Sequence, residues 1–360
     1  MKLRWKIALG IAGAGLIAIA APIAFIETRC SAPFKKFDAG RPYTPILERP
    51  VDHRPEARTW LTYPEWYIVY SAESLGGYLA AGERPSAFPY GRHIAGFWKG
   101  YCALNRAAAG SQQAGDAKVM IYTIGISYSA ELAVKALYEI TIGRTAEAIS
   151  GWTSADDRYA AKVQQRYGAF MHETPWYAFP FPTALSRLWA VREPDAWFRH
   201  WERRGALSAE YGVKAVYAKA IGWLSGATLG RDERTLRMVM TGTPDAIRAI
   251  DPRLKVLGSA GPGRVIVEAP RYAQFTDLVG KLAGRPERIV EIAGNDDIFV
   301  TLLAPNSLPR TVGMRRLVLV PIEGREGWSR MGMTVKVAQL QDFLAKARAD
   351  GARLEHVYDY

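Results

Sequence analysis

Cysteine and histidine are scarce in this chain: two of the first, Cys30 and Cys102, and five of the second, in 360 residues. Two cysteines exclude a disulfide framework and a cysteine-based metal site. They leave one bridge, Cys30 to Cys102, open to a protein outside the cytoplasm. The histidines, His53, His93, His172, His200 and His356, stand alone: none follows a Glu, Asp, His or Cys by three or four residues. HExxH, ExxH and CxxC are all missing, so local spacing predicts no metal centre and no cofactor. There is no Gly-x-Ser-x-Gly elbow and no GxxxxGK[ST] phosphate loop. Gly13-Ala14-Gly15 lies in an apolar run, and Gly261-Pro262-Gly263 sits between strand-like runs without opening a helix. No run of five like charges occurs either, although the net charge is +12. Basic residues scattered singly do not make a nucleic-acid stripe, and no nucleic-acid partner is expected.

What the chain does have begins at its first residues. Lys2, Arg4 and Lys6 precede an uncharged run from Ile7 to Ile26, and twenty apolar residues at about 1.5 Å each match a hydrocarbon core of about 30 Å. A single transmembrane anchor is expected, with a cleaved signal peptide ending at Ala18-Ile19-Ala20 as the rival. Basic residues flank the run on both sides, Lys2, Arg4 and Lys6 against Arg29, Lys35, Lys36 and Arg41. Those abutting the run place the N-terminus in the cytoplasm. The expected location is the cell inner membrane, single-pass, with the bulk of the chain periplasmic or otherwise extracytoplasmic.

Residues 31 to 59 carry five prolines with interspersed charges and read as an extended linker. From 60 to 234 follows an aromatic-rich helical domain with an internal repeat, at about 85–145 and 175–224. Ser129-Ala-Glu-Leu-Ala-Val-Lys-Ala-Leu-Tyr-Glu-Ile-Thr-Ile-Gly143 returns as Ser208-Ala-Glu-Tyr-Gly-Val-Lys-Ala-Val-Tyr-Ala-Lys-Ala-Ile-Gly222, nine of fifteen positions being identical. Upstream, Ala87-Phe-Pro-Tyr90 with Trp98 is matched by Ala178-Phe-Pro-Phe181 with Trp189. Two shared blocks in the same order predict two equivalent helical hairpins packed together. Ser129 and Ser208 are expected as N-caps. Glu131 with Lys135, and Glu210 with Lys214, are expected as i,i+4 pairs, read first as solvated and worth about 0.3–0.5 kcal/mol each. A contact between the two halves is the competing arrangement, and these four residues form the first candidate binding set.

From 235 to 360 tryptophan becomes rare, and seven strand-like runs alternate with amphipathic helices. The fold class is therefore α+β, and the order strand, helix, two strands, helix, strand is that of a ferredoxin-like sandwich with extra elements. Gly294-Asn-Asp-Asp297 between two apolar runs suits a tight hairpin. Asn295, Asp296 and Asp297 are the second candidate binding set, a carboxylate pair able to take a cation. Trp176, Tyr177, Phe179 and Phe181, and Trp197, Trp201, Arg203 and Arg204, are of the types that suit a headgroup zone. The chain reads as a membrane-anchored binding or assembly protein whose partners are the membrane and a protein or anionic lipid. The alternatives are a membrane-anchored enzyme, with its site between the helical repeats or between the domains, and a lipid-binding protein.

Overall fold

The computed structural model describes residues 19–32, 43–192, 197–224, 235–308 and 314–360. The greater part of the expected anchor lies outside these residues. Helix α1 is described over residues 19–29, and among the described residues no helix is long and apolar enough to cross a membrane. Cys30, directly after α1, is bonded to Cys102, 72 residues away in the chain. Ile26 and Cys30 are fully buried in the core of the helical region, so the end of α1 is part of the folded body.

The helices follow as α2 (Arg58–Leu61), α3 (Tyr63–Ala80), α4 (Tyr90–Ala107), α5 (Gln112–Tyr138), α6 (Arg144–Ser150), α7 (Ala155–Met171), α8 (Phe181–Trp189) and α9 (Trp197–Leu224). A π-helical turn, Glu139–Gly143, joins α5 to α6 without a break. Each copy of the repeat is a three-helix unit, α3–α4–α5 and α7–α8–α9. The Phe-Pro-aromatic motif does the same work in both. Pro89 (φ −82°, ψ 60°) and Pro180 (φ −77°, ψ 66°) sit in the inverse γ-turn region. The turn closes with Tyr90 N donating to Phe88 O at 2.9 Å and Phe181 N to Phe179 O at 2.8 Å. A helix starts directly after each proline, because proline lacks an N–H that a helix start would leave unpaired anyway.

The serines are not N-caps. Helix α5 starts at Gln112, where Ser111 accepts from Ala114 N, so Ser129 is deep inside it, and Ser208 is inside α9. Each instead accepts from the tryptophan of its own unit, Trp98 Nε1 to Ser129 Oγ at 3.0 Å and Trp189 Nε1 to Ser208 Oγ at 3.1 Å. The shared blocks therefore mark a shared tertiary hydrogen bond.

The units meet reciprocally. A Cβ on Gly76 would fall against the Gln165 backbone, and one on Gly168 against Glu73. Because both are glycine, α3 and α7 approach backbone to backbone, an isologous contact within one chain.

The C-terminal part holds β1 (Thr235–Thr241), α10 (Pro244–Ile250), β2 (Lys255–Ser259), β3 (Arg264–Pro270), α11 (Ala273–Leu282), β4 (Ile289–Ile292), β5 (Asp297–Pro305), β6 (Met314–Pro321), β7 (Trp328–Lys336), α12 (Leu340–Ala349) and β8 (Arg353–Tyr358). The described residues form two four-stranded sheets, ordered β2-β3-β1-β4 and β6-β7-β5-β8, with every neighbouring pair antiparallel. The elements expected as extras on one sandwich thus form a second sheet with the strand order of the first. Phe275, Leu278 and Leu282 of α11 and Leu340, Phe343 and Leu344 of α12 share one core with both sheets. Strand alternation then couples the halves of the chain: Val300 of β5 points into that core, while Phe299 joins Tyr63, Tyr67 and Phe97 of the helical region.

Candidate binding site at the contact of the helical units

Helices α5 and α9 run antiparallel, and their shared polar residues are exchanged. Lys214 Nζ lies 2.8 Å from Glu131 of the other copy, and Lys135 Nζ lies 3.0 Å from Glu210. Lys214 also reaches Glu210 at 3.2 Å within its own helix. The solvated arrangement expected for these pairs does not hold for three of the four side chains, because the two helices cover them. The fourth, Glu131, is half exposed. Burial alone would push the Glu210 carboxyl up, but Lys135 and Lys214 overcome it and hold the group down at about 2. The same carboxylates hold the Lys214 ammonium well above its ordinary range against its burial.

Further along the same contact lies a buried ionic network that sequence reasoning missed. Arg203 clasps Glu139 through two bonds of 2.9 and 2.8 Å, and Arg199 clasps Asp157 through two of 3.0 and 2.8 Å. Glu202 accepts from both arginines at 3.0 Å and from the Tyr138 hydroxyl at 2.5 Å. His200 bonds Asp156 through Nδ1. The signal was present in the spacing of α9: positions 199, 203, 210 and 214 fall on one helical face. A cavity of about 430 Å³ opens beside the network, lined among others by Tyr90, Lys135, Glu139, Arg203, Glu210 and Tyr211. Each lysine and arginine named here lies within ion-pair distance of at least one carboxylate of the protein. The arrangement can hold a polar group by exchange of partners, and its lining carries no histidine, serine or cysteine.

The histidines do not converge on the glutamates. His93 shares a hydrogen bond of 3.0 Å with Ser71, and Tyr128 donates to the same hydroxyl at 2.7 Å. Burial, with Arg330 and Arg92 adding to it, holds His93 down at about 4. His172 lies 2.6 Å from Glu73, whose hydrogen bond raises its pKa. His356 stacks on Trp66 at 3.9 Å between centroids and is held at about 3, by burial first and then by His172. Glu131 and Glu210 do meet, but across the Lys214 ammonium, not as a bare carboxylate pair.

The second candidate set is committed to internal contacts. Ala293 (φ 48°) and Gly294 (φ 79°) form a two-residue turn, closed by Asn295 N to Ile292 O at 2.9 Å and Ile292 N to Asn295 O at 3.1 Å. Such a turn needs positive φ at both positions, which glycine supplies without strain. Asn295 Nδ2 donates to Arg54 O at 2.9 Å, and Asp296 and Asp297 hold Lys336 Nζ at 2.9 and 2.8 Å. Burial would depress this lysine, but the two carboxylates raise it to about 12. Of the proline-rich stretch, the described residues 43–54 are docked on the protein, with a 3₁₀ turn at Pro50–Asp52, and its last residues already belong to α2. Glu291, fully buried, accepts from the Tyr43 hydroxyl at 2.6 Å, from Leu47 N at 2.9 Å and from Ile46 N. Among the described residues no group of three or more His, Cys, Asp or Glu is placed to hold a metal ion.

The aromatic expectations divide. Phe179 and Phe181 are core, and Arg203 and Arg204 are buried, whereas Trp197 and Trp201 are exposed. Compared with family models, with curated proteins and with solved structures, the chain matches none.

Proposed function

We propose that this protein is a membrane-anchored binding or assembly protein with its folded body outside the cytoplasm. Its fold is read as one membrane-spanning helix, a duplicated helical domain and two ferredoxin-like units, since both sheets have the strand order of that sandwich. The observation that carries the reading is the Cys30–Cys102 bridge. A structural disulfide persists in oxidising compartments, and this one lies directly after the apolar run Ile7–Ile26. It ties the end of that run to α4, as does Asn105 Nδ2 donating to Cys30 O at 3.0 Å. The ligand is received at the contact of the helical units, where Lys135 and Glu210 line the cavity and Lys214 pairs with Glu210 and Glu131 beside it. Binding is favoured over acid–base chemistry because the named carboxylates and cations neutralise one another there. The Asn295, Asp296 and Asp297 turn has a second role, as the clamp on the incoming chain and on Lys336.

The reading is tested by thiol trapping on washed membranes. The full chain is expected to stay in the membrane fraction through carbonate washing. Its cysteines, exposed by denaturing detergent, are expected to resist a maleimide reagent until reduced, after which two are modified. Release by carbonate, or two thiols reactive before reduction, contradicts the proposal.

A further inference from the structure

Helices α5 and α9 are inverted relative to an ordinary surface helix. On α9, Arg199, Arg203 and Arg204 are buried, and the Glu202, Glu210 and Lys214 side chains turn to the contact with α5. The outward positions are Trp197 at 70% exposure, Phe198, Trp201, Val213 at 69% and Val216 at 73%, with Lys219 the one exposed charged side chain among the described residues of this helix. On α5 and its continuation, the charged residues between Lys118 and Arg144 are Glu131, Lys135 and Glu139, each paired across to α9. Its outward positions are Val119, Met120, Val134 at 69%, Leu137 at 68% and Ile140. Charged side chains are almost never buried unless paired, and water-facing surfaces rarely carry large apolar patches. Here both departures occur on the same two helices.

The two exposed stripes face the same way. Val134 and Leu137 occupy in the first copy of the repeat the places of Val213 and Val216 in the second. They therefore stand at the same helical phase from the Glu and Lys positions that make the contact. Two antiparallel helices meeting reciprocally through those positions turn equivalent stripes to one side of the pair. The stripe also continues from the anchor: Glu27 at the end of α1 receives Lys118 Nζ at 2.8 Å and the Tyr122 hydroxyl at 2.6 Å, beside Val119 and Met120.

We infer that the outward face of the α5–α9 pair is seated in the lipid bilayer, in the plane of the membrane, at the boundary of headgroups and acyl chains. Apolar residues cover only one side of each helix, the other packing on the protein, which is the pattern of a helix lying on a membrane and not of one crossing it. Trp189, Trp197 and Trp201, at 52%, 70% and 48% exposure, are the residue type that the interface favours. Arg204, over the Trp189 and Trp201 rings at 5.1 and 5.6 Å, stays inside the protein beneath them. The inference rests on the reading of Ile7–Ile26 as membrane-associated, and it names the bilayer as what covers this face.

Both native cysteines are in the disulfide, so a spin label on an introduced cysteine reports one place. Val134→Cys, Val213→Cys and, as a control, Asp245→Cys, whose side chain is 96% exposed on α10, are made in the full chain and reconstituted in phosphatidylcholine–phosphatidylglycerol vesicles. Collision with dissolved oxygen should exceed collision with a water-soluble nickel chelate several-fold at 134 and 213, with the reverse at 245. Labels at 134 and 213 as open to the chelate as at 245, in a protein that survives carbonate washing, overturn the lipid-facing surface and leave the anchor standing. Labels hidden from both reagents mark a protein contact, such as a second copy, and also overturn it. Loss of membrane retention with oxygen-exposed labels on added vesicles supports the surface and removes the anchor.

Discussion

Lys135 and Lys214 hold equivalent places in the two copies of the repeat, and each pairs with the glutamate of the opposite copy. Lys135 reaches Glu210 at 3.0 Å, and Lys214 reaches Glu131 at 2.8 Å. A duplication that keeps both residues of the pair keeps both halves of the contact, because each copy supplies one cation and one anion.

Glu131 and Glu210 are equivalent in sequence but not in surroundings, and their removal should differ. Glu210→Gln leaves Lys135 and Lys214 buried with a lost partner and is expected to cost about 3–5 kcal/mol. Glu131 is half exposed, and Glu131→Gln should cost less than about 1 kcal/mol. Chemical denaturation of the two variants in the same detergent checks the order, and equal costs contradict it.

The tryptophan–serine bond recurs in two settings. Trp98 is buried and Trp189 is half exposed. Ser129→Ala should cost about 1 kcal/mol through the orphaned indole N–H, whereas after Ser208→Ala water can take the serine's place and the cost should be smaller. Thermal melts of the two alanine variants give the comparison.

The disulfide closes a loop of 72 residues. On loop entropy its loss should cost about 4 kcal/mol, seen as a fall in melting temperature on adding a reductant. Cys30→Ser with Cys102→Ser should melt with the reduced protein, not with the oxidised one.

Acid should destabilise the helical core through histidine. The unfolded chain takes up protons on His93 and His356 below the ordinary 6.5, while the folded chain holds them at about 4 and about 3 because both rings are buried. Depressed folded values give stability that is full above pH 6.5 and is lost as the pH falls towards 4 and then 3. His172 is raised by Glu73 and acts in the opposite sense, but it is one group against two. The denaturant midpoint should therefore fall from pH 7 to pH 4, and His93→Gln should flatten that fall. An unchanged slope contradicts the assignment.

The repeat was legible because identity survived at the positions that make the contact, Glu131 with Lys135 and Glu210 with Lys214. Its helix starts were not. Ser129-Ala-Glu131 has the local form of a cap, yet the helix runs on through it from Gln112, because capping propensity yields to tertiary partners such as Trp98. Most strands were legible from β-rich runs, but β7 was missed. It is central and covered on both faces, and Ser329-Arg-Met-Gly-Met333 has neither alternation nor β-branched residues. Its absence from the reading hid the second sheet. The buried arginines of α9 were misread because arginine beside tryptophan resembles a headgroup pattern in one dimension. In space the tryptophans face out and the arginines face Asp157 and Glu139.

The most direct test of the account is the side of the membrane on which the body stands, read by protease digestion of right-side-out and inside-out vesicles holding the full chain. The account predicts that the fragment after Cys30 is cut in right-side-out vesicles and protected in inside-out ones. Protection in right-side-out vesicles with cleavage in inside-out ones would contradict it.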